Sequence, residues 1–230
     1  MVLTIPRHVA LIPDGNRRWA LARGLVGEQG YEKAGSFENL RTLFNEARRL
    51  GVQYFSLWGF STENWKRGKR EIDSVFRLIF DGLRRFGEES AKEKICFRHL
   101  GRRDRLPKEL VREIEELEDR TKKYKDFIVQ LCLDYGGRDE IVRAVNRILK
   151  EGREAIDEKS FVAYLDSKVA PEPDLIIRTS GERRLSGFMA YQGIYAELYF
   201  TDVYFPEFGP AELRKAIGEF SRRKRRFGGD

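Results

Sequence analysis

Short apolar runs, rich in β-branched and aromatic residues, alternate along this chain with longer stretches in which apolar residues recur every three or four positions. The runs predict strands over His8–Ile12, Tyr54–Trp58, Ile95–His99, Phe127–Leu133, Leu175–Ile177 and Glu197–Phe200. The periodic stretches predict helices over Phe37–Leu50, Glu71–Phe86, Lys108–Tyr124 and Glu140–Lys150. Such alternation predicts an α/β fold, a mostly parallel central sheet of about six strands with helices on both faces. No low-complexity linker or internal repeat interrupts the pattern, so residues 1–230 are expected to form a single domain, long enough to bury a core without cross-links.

Two of the helical stripes carry a second meaning. Phe37, Leu40, Leu43, Phe44, Ala47 and Leu50 share one helical face, as do Ile72, Val75, Phe76, Ile79, Leu83 and Phe86. Either stripe fits a helix packed on a sheet, and either fits the wall of an apolar tunnel. The pattern is the same for both.

The polar residues are concentrated where the strands end. Pro13–Trp19, Gly59–Arg67, Gly101–Asp104, Asp134–Asp139 and Arg178–Arg184 each follow a predicted strand directly. In open parallel sheets ligands bind beyond the carboxyl ends of the strands, so these clusters are expected to form one shared site. Within the first, Asp14–Gly15 suits a tight turn and Asp14 or Asn16 suits a helix cap, which alone would account for them. A helix N-terminus beside Arg17 and Arg18 is also a seat for phosphate. Asp14 next to a phosphate calls for a bridging cation, and Mg²⁺ commonly binds through one carboxylate plus substrate phosphates. Arg178 and Arg184, with Thr179, Ser180 and Ser186, supply a second phosphate-type donor set, whereas Arg183 reads as a solvated charge. Glu197, inside the apolar run Tyr195–Phe200, needs a cationic partner, and a metal or a phosphate-binding arginine is favoured over a structural ion pair.

The formal charge is +7, with 44 Lys and Arg against 37 Asp and Glu, which suits nucleic acid, an anionic membrane surface or a phosphorylated small molecule. Composition does not choose among them. The sequence has no GxxxxGK[ST] loop, GxGxxG fingerprint, Gly-x-Ser-x-Gly elbow or His/Cys metal spacing, and with only His8 and His99 a histidine-based triad is not expected. Cys96 and Cys132 sit in strand-like segments and read as buried thiols, consistent with a reducing cytoplasm. No apolar run approaches the roughly 20 residues of a bilayer span, and residues 1–7 do not read as a signal peptide.

Taken in order, His8–Trp19, Ser61–Trp65, Tyr135–Arg138 and Arg178–Phe208, with Arg226-Phe227-Gly228-Gly229 at the end, resemble the cis-prenyltransferase family, the undecaprenyl and polyprenyl diphosphate synthases. The likeness covers almost the whole chain, and the absence of an Asp-Asp-x-x-Asp box separates it from the all-helical trans enzymes. It implies an enzyme that condenses isopentenyl diphosphate successively onto an allylic prenyl diphosphate, farnesyl or geranylgeranyl. The product would be a long-chain Z-polyprenyl diphosphate, precursor of a lipid carrier for glycan synthesis, and an apolar tunnel would take up the growing chain. It implies further that Asp14 holds Mg²⁺ on a diphosphate, with Glu197 a second metal-linked carboxylate. Gly15, Asn16, Arg17, Arg18 and Trp19 would bind the allylic diphosphate. Asn64 would assist proton removal, with Ser61, Thr62, Glu63, Trp65 and Arg67 positioning substrate. Arg178, Arg184, Leu185 and Ser186 would hold isopentenyl diphosphate. Arg226 and Gly228 would reach into a partner's site, implying a homodimer, cytoplasmic and in transient contact with a membrane surface.

One segment departs from the family pattern. Many members carry His-x-x-Gly after the first motif, where this chain reads Tyr31-Glu32-Lys33-Ala34-Gly35, so Tyr31 or Glu32 stands in the histidine's place. This loss, with Pro13 and Arg17, leans toward archaeal members and a geranylgeranyl starter. Three rival readings stand beside this one. Arg222–Arg226 would suit a nucleic-acid-binding protein, although no nucleic-acid motif accompanies it. A non-catalytic subunit of a heteromeric prenyltransferase would be expected to lack the set around Asp14 and Arg178. A phosphohydrolase would use the same site without forming a carbon–carbon bond.

Overall fold

The computed structural model describes residues 4–34 and 36–226. Six strands, β1 (His8–Ile12), β2 (Tyr54–Ser61), β3 (Ile95–Leu100), β4 (Phe127–Tyr135), β5 (Leu175–Arg178) and β6 (Glu197–Phe200), form one sheet among the described residues, in the order β3-β4-β2-β1-β5-β6. Every pairing is parallel. The chain reverses the direction in which it adds strands at β1, and the first polar cluster leaves the sheet there.

Alternation along β1 divides the core. Val9 and Leu11 face one side with Phe55, Leu57 and Val129, while Ala10 and Ile12 face the other with Cys132, Ile176 and Phe188. The first face is covered by α3 (Phe37–Leu50), α4 (Lys69–Glu93), α5 (Lys108–Thr121) and α8 (Pro210–Arg222), following the short helices α1 (Asn16–Leu21) and α2 (Gly27–Ala34). On the second side lie the 185–189 segment, α6 (Gly137–Lys150) and α7 (Glu158–Val162). The expected arrangement of a parallel sheet with helices on both faces is therefore met.

Several elements extend further than their apolar patterns, while α5 stops at Thr121, short of the expected Tyr124. Helix α3 keeps its expected limits because both ends carry stop signals: Ser36 accepts from the Asn39 N–H at 3.3 Å, and Gly51 closes the other end at φ 99°. Helix α4 runs on past Phe86, since nothing before Lys94 breaks it, and ends where Lys94 turns left-handed. Strands β2 and β4 continue into their polar clusters as far as Ser61 and Tyr135, carrying those residues to the rim of the sheet.

The α3 and α4 stripes do both things left open by their pattern. Leu43 and Ala47 pack on the sheet, while Phe37, Leu40, Phe44, Val75, Ile79 and Leu83 wall an apolar cavity. Its remaining wall is the sheet itself, through Leu57, Phe97, Val129 and Leu131. This is the expected tunnel.

Beneath the second face, β1, β2 and β4 are cross-linked by polar side chains. His8 Nε2 lies 2.8 Å from Ser56 Oγ, which is 2.8 Å from Gln130, and His8 Nδ1 lies 2.7 Å from the Pro171 carbonyl. Burial holds the His8 imidazole down to about 4, and burial aided by the Arg103 charge holds His99 at about 4. Both are therefore neutral in the fold. As pH falls below 6.5 the unfolded chain takes up protons that the folded one refuses, so their contribution is intact above pH 6.5 and lost as pH falls toward 4. Each is expected to cost about 3 kcal/mol of stability across that window. Histidine ring resonances of the folded protein should not titrate above pH 5; a midpoint near 6.5 would refute the neutral assignment.

Candidate active site

The loop after β1 and the loop after β5 are bound to each other before any ligand is considered. Thr179 Oγ1 accepts from the Asp14 N–H at 2.8 Å and donates to the Asp14 carbonyl at 2.8 Å. The Asp14 carboxylate receives Arg178 Nη2 at 2.8 Å and its own neighbour's N–H, from Gly15, at 2.7 Å, with Arg18 Nη2 at 3.5 Å. Gly15 is required on two counts. Its φ is 93°, and a Cβ there would lie 2.5 Å from the Ser180 Cβ and 2.6 Å from the Tyr204 ring.

Arg178 is the most confined charge of the group, 5% exposed at the end of β5. Its Nη1 donates to Ser186 Oγ at 2.8 Å and to the Arg184 carbonyl. Its Nε is buried with no partner among the described residues, as is the Asn16 Oδ1. Ser180 and Ser186 both hold left-handed φ values, 71° and 53°, a strain that the surrounding bonds sustain. Arg18 reaches Ser180 Oγ and Glu182, leaving it half-exposed at the rim.

Across the basin stands a second group. The Tyr31 hydroxyl donates to Glu71 at 3.0 Å and accepts from Arg67 at 2.9 Å, while Glu71 also lies 3.3 Å from Arg67 and 3.5 Å from Arg17. Burial, with Glu71 adding to it against the opposing Arg67 charge, pushes the Tyr31 phenol up to about 12, so it stays a donor at neutral pH. Between the two open positions in this segment, Tyr31 lines the basin and Glu32 is exposed outside it. Asn64 sits in a 3-10 turn, Thr62–Lys66, with its Oδ1 accepting from the Ser61 N–H at 3.0 Å.

The fold thus gathers Asp14, Gly15, Asn16, Arg17, Arg18, Ser61, Glu63, Asn64, Arg67, Arg178 and Ser186 around one open basin with about 1100 Å³ of empty space. Pro13, Asn16, Tyr31 and Gly59 line both this basin and the apolar tunnel, so the polar cradle opens into the hydrocarbon-lined space. Other expected residues stand back from it. Trp19 donates to Glu207 at 3.1 Å under Arg23. Trp65 donates to Asp134, Thr62 to Glu63, Arg184 pairs with Glu182, and Leu185 packs on the second-face core. Arg226 is exposed at the end of the described chain, and Gly228 lies outside the described residues.

Glu197 needs correction on two points. It is half-buried rather than enclosed, and its partner within the chain is Arg223 at 2.8 Å. It pairs with Leu175 at the start of β5, whereas Arg178 pairs with Phe200, so about 10 Å of strand separates its level from the basin. Asp14 is then the candidate metal ligand beside the arginines, with Glu63 the other carboxylate lining the basin among the described residues. No group of three His, Cys, Asp or Glu side chains able to hold an ion occurs among the described residues. A single carboxylate beside phosphate-binding arginines fits Mg²⁺, which takes its other ligands from substrate phosphate and water. Tyr31 was one of two open positions for the family histidine, whereas Trp58 and Glu71 were not predicted to belong here; Trp58 reads as an ordinary strand aromatic, and nothing in the pattern shows that the first turn of α4 overhangs the basin.

A family model described as putative undecaprenyl diphosphate synthase matches residues 12–228. The chain is 45% identical over 228 residues to an isoprenyl transferase of Aquifex pyrophilus, covering 99% of this chain and 98% of that one. It is 42% identical to an isoprenyl transferase of Fusobacterium nucleatum, covering 100% and 98%. Among solved structures it resembles lavandulyl diphosphate synthase from Lavandula x intermedia in complex with dimethylallyl diphosphate, at TM-score 0.93 and 34% identity, covering 97% and 98%. It also resembles a probable undecaprenyl diphosphate synthase from Campylobacter jejuni, at TM-score 0.83 and 32% identity, covering 98% and 100%.

Replacing Arg178 with Leu removes the guanidinium that ties Asp14 to Ser186. Affinity for magnesium pyrophosphate, measured by calorimetry on folded protein, should fall about 10- to 100-fold. Unchanged affinity would show that the anion seat lies elsewhere.

Proposed function

The chain belongs to the undecaprenyl diphosphate synthase family of prenyltransferases, and we propose that it adds isopentenyl units in the cis configuration to an allylic prenyl diphosphate, farnesyl or geranylgeranyl. The product is a long-chain Z-polyprenyl diphosphate that serves as the precursor of a glycan lipid carrier. One observation carries this reading: a phosphate-type cradle and an apolar tunnel share Pro13, Asn16, Tyr31 and Gly59 at their junction. That junction suits a substrate with a charged head and a hydrocarbon tail, and the transferred carbon is the atom between them. An allylic diphosphate also occupies the lavandulyl diphosphate synthase structure that this fold resembles.

In the proposed reaction the bond from the allylic carbon to its diphosphate breaks as the isopentenyl double bond forms a new carbon–carbon bond to it, and the isopentenyl unit then loses a proton. Negative charge develops on the departing diphosphate. Arg17, Arg18 and the N–H groups opening α1 stand ready for it, and preorganised donors of this kind supply most of such a rate enhancement. Asp14 would hold Mg²⁺, which would supply electrostatic stabilisation of the same charge. Arg178 and Ser186 hold the second diphosphate, and Arg67 and Tyr31 face it across the basin. Asn64, an amide without basicity at neutral pH, aligns the isopentenyl unit so that a diphosphate oxygen or water takes the proton. The tunnel retains the product, at about 0.8 kcal/mol per buried CH₂.

A homodimer is proposed on the outer face of α6, where Val142, Val145 and Leu149 are 58%, 42% and 65% exposed at successive turns. No described helix is long and apolar enough to cross a membrane; a cytoplasmic enzyme meeting the bilayer transiently to deliver product fits this reading. The nucleic-acid alternative loses support because Arg223 pairs with Glu197 and Glu219, and Arg225 with Asp174, within the basic terminal segment.

Incorporation of labelled isopentenyl diphosphate with Mg²⁺ and geranyl, farnesyl or geranylgeranyl starters, read as butanol-extractable product, tests the reaction. Asp14→Ala should lower it about 100-fold or more. Phosphate release without extractable product would instead favour the phosphohydrolase. Val142→Glu with Val145→Glu should convert a dimer to monomer by light scattering, and a dimer that persists would remove α6 from the interface.

A further inference from the structure

The turn that carries Asn64 is a single 3-10 turn beyond the end of β2, closed locally by the capping box between Ser61 and Asn64 and followed directly by α4. Its inward anchor is Trp65, whose ring packs edge-on against Phe60 at 5.3 Å and tilted against Phe76 at 5.4 Å. The indole N–H then donates at 2.8 Å to Asp134, the last but one residue of β4.

Asp134 is an unusual residue to find there. It is 0% exposed and holds a left-handed φ of 48°, in which Asp and Asn are among the few tolerated side chains. A buried carboxylate must be paired and fully bonded, and this one is. Arg105, from the loop after β3, donates Nε to Oδ2 at 2.8 Å and Nη2 to Oδ1, the same oxygen that receives the indole. The Arg105 guanidinium also lies 5.6 Å from the centre of the Trp65 ring. The Asp134 carbonyl accepts from the Arg102 N–H at 3.2 Å, fastening the same loop from the backbone. Loops from three strand ends therefore meet on one side chain, and none of the three groups lines the basin.

We propose that Asp134 is a positioning residue: clamped by Arg105, it fixes Trp65 through its indole N–H and thereby holds the Asn64–Arg67 turn in the geometry that prenyl transfer requires. A neutral apolar side chain would fill the same space but leave the indole N–H and Arg105 without their acceptor. A carboxylate held from two sides presents its oxygen along one direction, which fixes the indole plane and with it the turn. The proposal rests on the prenyl-transfer reading for its catalytic consequence, but not for its structural one.

The test compares Asp134→Asn, which keeps an acceptor and tolerates the left-handed backbone, with Asp134→Leu, which has none. Trp65→Phe keeps the ring packing without the N–H, so it reports on the same bond should the Leu variant fail to fold. Backbone hydrogen exchange over residues 61–68 is expected to accelerate at least about tenfold in Asp134→Leu and Trp65→Phe, with β1 and β5 unchanged. The turnover number should fall about 10- to 100-fold in both, while the allylic KM, set by Asp14 and Arg18, moves less than about threefold. Asp134→Asn should recover most of the loss, and Asp134→Leu combined with Trp65→Phe should be no worse than either alone, because both remove one bond. Wild-type exchange at 61–68 in folded Trp65→Phe would overturn the proposal. So would acceleration spread evenly over the sheet, which marks general destabilisation. If the wild-type protein transfers no prenyl group, the reading of its function falls, and the exchange pattern alone still decides whether Asp134 holds the turn.

Discussion

All six strands run the same way, so every loop that leaves a carboxyl end emerges on one edge of the sheet. Everything the site contains follows from that constraint. Asp14 comes from the end of β1, Ser61 and Asn64 from β2, and Arg178 and Ser186 from β5, residues up to 172 positions apart in sequence that no local interaction would assemble. The same constraint excludes Glu197, which lies at the opposite end of its strand and finds Arg223 instead. Direction along the strand, more than distance along the chain, decides which charges meet.

Strand direction brings the loops to one edge, and a few buried charges then fix them relative to one another. Arg178 ties β5 to β1 through Asp14, and Arg105 ties β3 to β4 through Asp134. Each joins a guanidinium to a carboxylate; Arg178 also donates to a hydroxyl and a carbonyl, and Arg105 grips both oxygens of Asp134. With one partner of each pair buried, such contacts are costly to desolvate and add little net stability; what they give is a single arrangement of loops. The strained backbone at Ser180, Ser186 and Asp134 lies around these two knots, which is where such strain is held in place by surrounding bonds.

The polar edge and the apolar cavity depend on different physics and meet only at a short junction. Helices α3 and α4 stand off the sheet far enough to leave an apolar space between their Phe, Leu and Ile faces and the strands. The arginines stay at the rim, partly hydrated, and the two environments meet only at Pro13, Asn16, Tyr31 and Gly59.

Much of this was legible in the chain because it is written locally. Alternation at two and at three to four residues marks all six strands and four of the five long helices, leaving out α8, and the polar clusters after the strands name most of the basin. Boundaries were harder: β2, β4 and α4 run beyond their apolar patterns because backbone hydrogen bonds continue where side chains change character. What the sequence left open were questions of direction and facing. A stripe on α3 is equally a core face and a tunnel wall until the spacing between helix and sheet is fixed. Tyr31 and Glu32 are equivalent in a one-dimensional comparison, yet 100° of helical rotation puts the first in the basin and the second in solvent. Glu197 and Asp134 are both carboxylates in apolar strands, and only the register of β6 and the convergence of three loops made one a peripheral ion pair and the other a buried clamp. Local pattern records which residues want burial and which want water; which of them meet is set by long-range pairing that no short window contains.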